Sequence, residues 1–197
     1  IYDPELTLGL PWAITVTSVF NAIAHAAEGL YAADGNPVIA LMAEEGIRAS
    51  AAALVPLQSD ARDLAARSDA LYGAWLCGMV MGATTMGLHH KLCHTLGGSF
   101  NLPHADVHTV VLPHALAYNA AAAPEALRRI GRALGVVADE VPSALQALAR
   151  RYGVYLLAGS LPERVGDEFR NRAWMYGPSG EGACVEKYRP PRAQLDE

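Results

Sequence analysis

Histidine is concentrated in one short, apolar stretch of this chain. Six of the seven histidines lie between His89 and His114, and the seventh is His25. The pKa of an unperturbed imidazole lies near neutrality, and the neutral ring is a common metal ligand. Packing alone does not call for so many polar rings in one segment. Any fold of this chain therefore has to gather them into a polar site inside an apolar domain.

Apolar periodicity and Gly/Pro punctuation indicate a helical fold. Apolar residues recur at helical spacing between Phe20 and Tyr31, and strand-type alternation is almost absent from the first 159 residues. We therefore predict an all-α, multi-helical bundle. Caps and breakers place the helices at residues 17–32, 37–54, 60–82, 85–96 (ended by Gly97 and Gly98), from 104 onward with an interruption at Pro113, 124–134 and 142–152.

Two regions differ in composition. Residues 1–159 have the apolar content of a folded domain, and they form the predicted helical domain. Residues 160–197 are richer in charge, and they contain Gly- and Pro-rich stretches without sustained periodicity after Trp174. We expect this second region to be a divergent, poorly ordered tail.

Composition excludes some classes of partner. Apolar residues make up 52% of the chain and charged residues 18%, which is enough apolar material for a sizeable core. The net charge is -5, and Lys91 is the only lysine or arginine between Arg67 and Arg128, so we expect no nucleic-acid partner. The cysteines form no CxxC pair, which favours a reducing, cytoplasmic setting.

Residues 70–88 are long enough for a membrane span. The stretch has 19 residues without charge, and Gly78 and Gly82 have the spacing of closely packed helices. However, four glycines and two threonines weaken its hydrophobicity, and a histidine pair follows. We predict a buried core helix rather than a membrane helix.

Helical spacing predicts which polar side chains meet. Asn21 and His25 are four residues apart on the first helix, and His90 and His94 have the same spacing on a later one. His104 begins the next helix, so its ring can point back toward its neighbour. These side chains can converge on one point, as metal and proton-transfer sites in bundles require.

The remaining histidines are open to more than one interpretation. Taken alone, His25 is better explained as a hydrogen-bonded core residue than as a site residue. His89 lies off the face of His90 and His94, which suggests a supporting or surface position. His108 and His114 are as well explained by capping or packing as by function. Cys93 is better explained as a buried apolar side chain than as a reactive thiol.

Two segments resemble a known family. FNAIAHAAEGLYA (20–32) and MGLHHKLCHTLGGSFNLPHADVHTVVLPHALAYN (86–119) are similar to the helical C-terminal half of the iron-type alcohol dehydrogenase superfamily, which has a dehydroquinate synthase-like fold. Within it they look most like the maleylacetate reductases. The resemblance covers roughly residues 1–150. It implies that a separate N-terminal dinucleotide-binding domain is absent from this chain, in which no GxGxxG loop follows a strand.

The resemblance also bears on metal binding. In metal-dependent members an Asp and a His four apart, followed by two further histidines, hold the ion, and the matching positions here are Asn21, His25, His90 and His104. A neutral amide is a poorer ligand than a carboxylate. We therefore expect no tightly bound metal. If a metal binds, its ligands would be His25, His90 and His104.

The implied reaction is hydride transfer from NADH or NADPH to the conjugated double bond of maleylacetate or chloromaleylacetate, giving 3-oxoadipate in the breakdown of aromatic compounds. His94 matches a position near the nicotinamide, so the resemblance suggests it as proton donor or substrate positioner. His25, His90 and His104 would orient the substrate, and Asn21 and Lys91 would bind it. Lys91 is equally well explained as an exposed helix residue.

Two other functions stay open at this point. One is a metal-dependent alcohol dehydrogenase, and the other is a non-catalytic, truncated helical module. We expect a homo-oligomer, specifically a dimer, with a small dicarboxylate as substrate and without a membrane partner. Taken alone, this chain is expected to be inactive.

Overall fold

Seven α-helices occupy residues 12–151 of this computed structural model, which describes residues 1–153, 156–165, 168–176 and 182–187. After a short 3-10 helix (Pro4–Thr7) they are α1 (Trp12–Gly29), α2 (Pro37–Ser59), α3 (Leu64–Ala83), α4 (Leu88–Phe100), α5 (His104–Asn119), α6 (Pro124–Leu134) and α7 (Val141–Arg151). The all-α prediction is confirmed for this part of the chain.

Helix α1 lies at the centre of the core and contacts α2, α3 and α5. Its buried face interleaves with apolar residues of those helices and of α6 and α7, as its helical spacing predicted. The main core cluster includes Val16, Phe20, Ile23 and Ala27 of α1, Ile47 and Leu54 of α2, Cys77 and Val80 of α3, Leu112 and Leu116 of α5, Ile130 of α6 and Leu145 of α7.

Glycines allow α3 to approach its neighbours closely. A Cβ added at Gly73 would lie 2.3 Å from Oγ of Ser50 on α2. One added at Gly29 of α1 would lie 2.1 Å from a methyl carbon of Val80 on α3. Both distances are shorter than a van der Waals contact, so a larger side chain would force the helices apart.

Helix α3 buries one face in the core, as predicted for residues 70–88, and exposes the opposite face. Leu76, Cys77 and Val80 are buried, whereas Tyr72 and Met79 are more than 40% exposed, at 42% and 44%. Gly78 and Gly82 have no atom within 4 Å of an added Cβ. Their small-residue spacing therefore packs against nothing in the described part of the chain.

No single helix in the described part of the chain is long and apolar enough to cross a membrane. Helices α3 and α4 reach that length and hydropathy only together, as two segments bent by 98°.

The first two helices are longer than the sequence predicted. Helix α1 starts at Trp12, directly after Pro11. Thr17 lies inside the helix, and its hydroxyl donates to the carbonyl of Ala13 at 3.0 Å, so it does not cap the helix. Helix α2 continues through Pro56 to Ser59. A proline near the end of a helix removes one donor, and packing of the preceding turns offsets that loss.

Helices α4 and α5 also run through expected breaks. Helix α4 continues past Gly97 and Gly98 and ends at Asn101, which takes the left-handed conformation with φ of 51°. Asparagine tolerates that conformation better than most residues. Helix α5 is continuous through Pro113, which is buried beside the core residue Leu112.

Three antiparallel strands follow the helices: β1 (Leu156–Val165), β2 (Glu168–Tyr176) and β3 (Gly182–Lys187), in the order β1-β2-β3. Leu156 is paired with Tyr176 and Val165 with Glu168. Strand β1 begins inside the predicted helical domain (1–159), and the strands continue into the region predicted to be a poorly ordered tail (160–197). Antiparallel strands pair through backbone hydrogen bonds, which need no apolar repeat, so periodicity did not reveal them.

Candidate active site

The rings of six histidines lie together where α1, α4 and α5 meet. We name this group the histidine cluster: His25 of α1, His89, His90 and His94 of α4, and His104 and His108 of α5. Ring centroids are 4.6 Å apart for His25 and His90, and 5.9 Å apart for His94 and His104. His108 links the two pairs, at 4.7 Å from His90 and 4.4 Å from His104. The structure thus brings together the four rings expected to converge, while their chemical roles stay predictions.

A buried carboxylate, Glu28, lies beneath the cluster and was missed from the sequence. It is 1% exposed. Its oxygens accept hydrogen bonds from Nδ1 of His90 at 2.6 Å, from the backbone N–H groups of Gly87, His89 and His90, and from the hydroxyl of Tyr31. Glu28 follows Asn21 and His25 at helical spacing (21, 25, 28), which is the signal that could have identified it.

Glu28 also explains how α4 begins. That helix has no side-chain cap of its own, and the carboxylate from α1 accepts from its first N–H groups instead. Burial alone would raise the pKa of Glu28, but hydrogen bonds from the His90 ring and the His89 and Gly87 backbones lower it to about 2. Glu28 is therefore an anion at neutral pH, and its charge is opposed by fixed donors.

His89 is buried in the cluster, not at the surface. Its side chain is fully enclosed, and its Nε2 lies 2.9 Å from Nδ1 of His108. Burial and the neighbouring His90 lower the pKa of His89 to about 3, and burial and His89 lower that of His108 to about 2. Both rings are therefore neutral at physiological pH. The Cys93 thiol is also buried, and burial raises its pKa to about 12, so it is an unreactive S–H group.

The cluster opens to solvent at His94 and His104, which are exposed. His25 is only partly exposed, and burial together with repulsion from His90 lowers its pKa to about 4. The site therefore has an exposed pair of rings at its mouth, while the rings of His25, His89 and His108 are neutral at physiological pH.

The two predicted substrate-binding residues differ in placement. Asn21 is half-buried on α1, and its Oδ1 is enclosed without a hydrogen-bond partner among the described residues. Lys91 is exposed on α4, and within the described part of the chain its ammonium group forms no hydrogen bond or ion pair. The structure thus gives Asn21 a free polar atom but does not tie Lys91 to the cluster.

Possible metal ligands form different sets from the one expected. Among the residues that the structure describes, ligand atoms lie within 4.8 Å of one another in two sets of three: His89, His90 and His108, and His94, His104 and His108. Neither set contains His25. The first set is already hydrogen-bonded through Glu28 and the His89–His108 pair. The second fits a nitrogen-liganded divalent cation by distance, but a carboxylate ligand is lacking at position 21.

His114 lies apart from the cluster. It lines an open groove of about 300 Å³ between α4 and α5, together with Leu88, Leu92, Val111, Ala115 and Tyr118. Its Nε2 is enclosed and has no partner in the described residues. The groove is almost entirely apolar, so His114 belongs to helix packing and not to the polar site.

Comparison with known proteins identifies the class. The family model described as "Fe-containing alcohol dehydrogenase family, C-terminal" matches residues 15–155. The chain belongs to this family, and its helices form the C-terminal domain of that fold.

Individual relatives narrow the comparison. The chain is 71% identical over 154 residues to a maleylacetate reductase of Burkholderia cepacia, covering 78% of this chain and 43% of that protein. It is 57% identical over 196 residues to a maleylacetate reductase of Pseudomonas knackmussii, covering 100% of this chain and 53% of that protein. This second match extends past residue 150, where the resemblance was expected to end.

A solved structure of a maleylacetate reductase is also similar to this chain. The crystal structure of maleylacetate reductase from Rhizobium sp. strain MTP-10005 superposes with a TM-score of 0.73 and 52% identity, covering 77% of this chain and 43% of that one. The chain thus spans about half the length of the relatives it matches.

Proposed function

We propose that this chain forms the helical half of an NAD(P)H-dependent reductase that acts on maleylacetate or chloromaleylacetate. The similarity to maleylacetate reductases supports this proposal. The observation that carries it is the histidine cluster itself, in which six imidazole rings lie together and the buried carboxylate of Glu28 is held by fixed donors. Asn21, on the same helix as His25, adds an amide whose enclosed Oδ1 has no partner among the described residues. Such a site suits a substrate with two carboxylates.

Electrostatics favour Asn21 for that substrate. A carboxylate at position 21 would face a dianion within a few ångströms, at a cost of about 1–4 kcal/mol for unit charges 4 Å apart at effective dielectrics between 80 and 20. The amide removes this repulsion and supplies N–H donors. An amide at position 21 is also a poorer metal ligand than a carboxylate, so we propose that the reaction needs no resident metal.

The reaction consumes one hydride and one proton. NAD(P)H, when bound, supplies the hydride to one carbon of the conjugated double bond. The ketone oxygen then carries negative charge as an enolate, and a proton adds to the neighbouring carbon. Donors around the cluster stabilise the enolate oxygen. We assign the proton to His94, because its exposed ring can be reloaded from water.

His25, His90 and His104 orient the carboxylates in this scheme. Nδ1 of His90 donates to Glu28, so a second proton on Nε2 is needed for that nitrogen to donate to the substrate. Glu28 balances the resulting charge, as a buried carboxylate does behind a catalytic imidazole. His104 lies at the N-terminus of α5, where backbone N–H groups also favour an anion.

A chimera tests the function. Residues 1–154 of this chain replace the matching part of the Burkholderia cepacia enzyme, and nicotinamide absorbance is followed after addition of NADH and maleylacetate. We expect turnover by the chimera and none by this chain alone, because this chain spans about half the length of the relatives. A folded chimera that binds NADH without turnover would contradict the proposal, and turnover by the chain alone would contradict the expectation that the rest of the relatives' length is needed.

The role of His94 is tested in the same chimera. His94→Ala removes the proposed proton donor, and general acid catalysis contributes about 100- to 10,000-fold, so kcat should fall by at least about 100-fold. His114→Gln, in the apolar groove, is the matched control and should leave kcat unchanged. An unchanged kcat for His94→Ala would remove His94 from the mechanism.

A metal-dependent alcohol dehydrogenase is the second candidate. The set of His94, His104 and His108, with ligand atoms within 4.8 Å, favours it. Elemental analysis of the purified chimera separates the two. A stoichiometric divalent ion required for turnover supports the alcohol dehydrogenase, and full maleylacetate turnover after chelation supports the reductase.

A further inference from the structure

His108 lies at the centre of the histidine cluster and has no role in the scheme above. It is fully buried. Its ring centroid lies within 6.3 Å of every other ring of the cluster: His104 at 4.4 Å, His90 at 4.7 Å, His89 at 4.8 Å, His25 at 6.2 Å and His94 at 6.3 Å. Its Nε2 is enclosed, yet it has no hydrogen-bond partner among the described residues. Buried polar atoms are normally paired, so this nitrogen requires an explanation.

The other nitrogen of His108 restricts where its proton can be. Nδ1 lies 2.9 Å from Nε2 of His89, so one of these two nitrogens donates a hydrogen bond to the other. Both rings are buried and neutral, and each carries one N–H. Either His89 donates to His108, which leaves Nε2–H of His108 as a free donor, or His108 donates to His89, which leaves its Nε2 as a bare acceptor.

The thiol of Cys93 favours the first arrangement. Its sulfur lies 3.8 Å from Nδ1 of His89 and 3.6 Å from Nε2. If His89 donates through Nε2–H, its Nδ1 is an acceptor that the S–H group can serve. The order Cys93, His89, His108 then forms a directed series that ends in an N–H group. In the opposite arrangement Nδ1–H of His89 faces the sulfur, which is a weak acceptor, and the thiol hydrogen has no partner on His89. Nε2 of His108 is unpaired in both arrangements.

We propose that His108 is a further substrate-binding residue, whose neutral Nε2–H donates a hydrogen bond to the ketone oxygen of the substrate as it becomes an enolate, and that His89 is the positioning residue that holds His108 in this tautomer. The inference rests on the proposed reductase function. A neutral, buried imidazole can stabilise a developing oxyanion without losing its proton, and the proton delivered to carbon still comes from His94. His108 is fully buried and packs against the exposed rings of His94 and His104, so the proposed contact requires these rings to shift when the substrate binds.

The tautomer can be measured on this chain without any activity. Long-range ¹H–¹⁵N correlation spectra distinguish a protonated from an unprotonated ring nitrogen. We expect His108 and His89 each to show a protonated Nε2 and an unprotonated Nδ1 near neutral pH. A protonated Nδ1 on His108 would overturn the inference whether or not the reductase function is correct.

Variants of the chimera test the consequence for catalysis. His108→Leu removes the donor, and loss of one oxyanion donor lowers kcat by about 100- to 1,000-fold with little change in KM. His89→Leu leaves Nδ1 of His108 unpaired, so we expect both tautomers in the spectra and a smaller loss of kcat. His89→Gln keeps an N–H donor toward His108 and should restore both the spectrum and kcat, which a purely structural role would not predict.

The controls separate the possible failures. His114→Gln, on the same helix but outside the cluster, should leave kcat and the His108 spectrum unchanged. Where His108→Leu does not fold, His108→Asn, which keeps a polar group but shortens its reach, should show the same loss. Normal turnover by a folded His108→Leu chimera overturns the inference. An unmodified chimera without turnover overturns the proposed function and with it the substrate contact, while the spectra still decide the tautomer.

Discussion

At the scale of single residues, Glu28 organises the candidate site. One carboxylate both caps α4 and holds Nδ1 of His90, so the start of a helix and the orientation of a site ring depend on the same side chain. The free Nε2 of His90 and the free Oδ1 of Asn21 are enclosed polar atoms without partners in the described residues. Buried polar atoms are normally paired, so these two atoms are candidates for contact with a ligand.

Replacing Glu28 should therefore destabilise the chain. Glu28→Gln keeps the shape but places an NH₂ group where an oxygen now accepts from Gly87 and His90. Hydrogen bonds to charged groups contribute about 1.5–3 kcal/mol, so we expect a loss of that size in urea unfolding. Glu45→Gln is the matched control, because the Glu45–Arg48 pair is exposed and should change stability by less than about 1 kcal/mol. Equal effects of the two variants would contradict the role given to Glu28.

At the scale of elements, close contacts between helices depend on small residues at particular points. Gly73 of α3 lies against Ser50 of α2, whereas Gly78, one and a half turns further along α3, faces open space. The sequence singled out Gly78 and Gly82 by their spacing, but the contacts lie at Gly73 and Gly29. Spacing alone does not reveal which side of a helix meets a neighbour.

Alanine substitutions at Gly73 and Gly78 should have opposite effects on the free energy of unfolding. Gly73→Ala places a Cβ 2.3 Å from Oγ of Ser50 and 2.8 Å from its backbone nitrogen, and overpacking of this kind costs about 1–3 kcal/mol. Gly78→Ala meets no atom within 4 Å and should stabilise the helix by about 0.5–1 kcal/mol. The two free energies of unfolding, from urea titrations, check the prediction. A neutral Gly73→Ala would show that α2 and α3 are not in close contact.

At the scale of the whole molecule, the buried imidazoles link stability to pH. The pKa values of His25, His89 and His108 are lowered from 6.5 to about 4, about 3 and about 2, first by burial and then by neighbouring imidazoles. Below pH 6.5 the unfolded chain therefore binds protons that the folded chain does not. Stability is full above pH 6.5 and falls as the pH decreases toward these lowered values.

The free energy of unfolding should decrease steeply as the pH falls. Each such histidine contributes about 1.4 kcal/mol per pH unit, so three contribute about 4 kcal/mol per unit well below pH 6.5. The free energy of unfolding, measured between pH 7.5 and pH 4.5, should decrease throughout the acid part of this range. His108→Leu should reduce the slope by about a third. Constant stability from pH 7.5 to pH 5 would show that the rings are not buried as described.

The sequence predicts contacts between site residues that are close along the chain, but not contacts between residues that are far apart along it. Asn21 with His25, and His90 with His94, are pairs four residues apart, and helical geometry alone predicts that each pair shares a face. His104 was placed correctly because it follows a break between two helices. Glu28 had the same local signal, but nothing local indicated that its partners lie 59 to 62 residues away.

The sequence by itself determined the helical class, the faces of α1 and α4, and the presence of a neutral amide at position 21, because these follow from residue type and a repeat of 3.6 residues. Only the tertiary structure decided that His89 and His108, 19 residues apart, are hydrogen-bonded, and that Glu28 caps a distant helix. Those pairings depend on how α1, α4 and α5 are rotated and spaced against one another. Packing of the whole core sets that arrangement, and no local pattern encodes it.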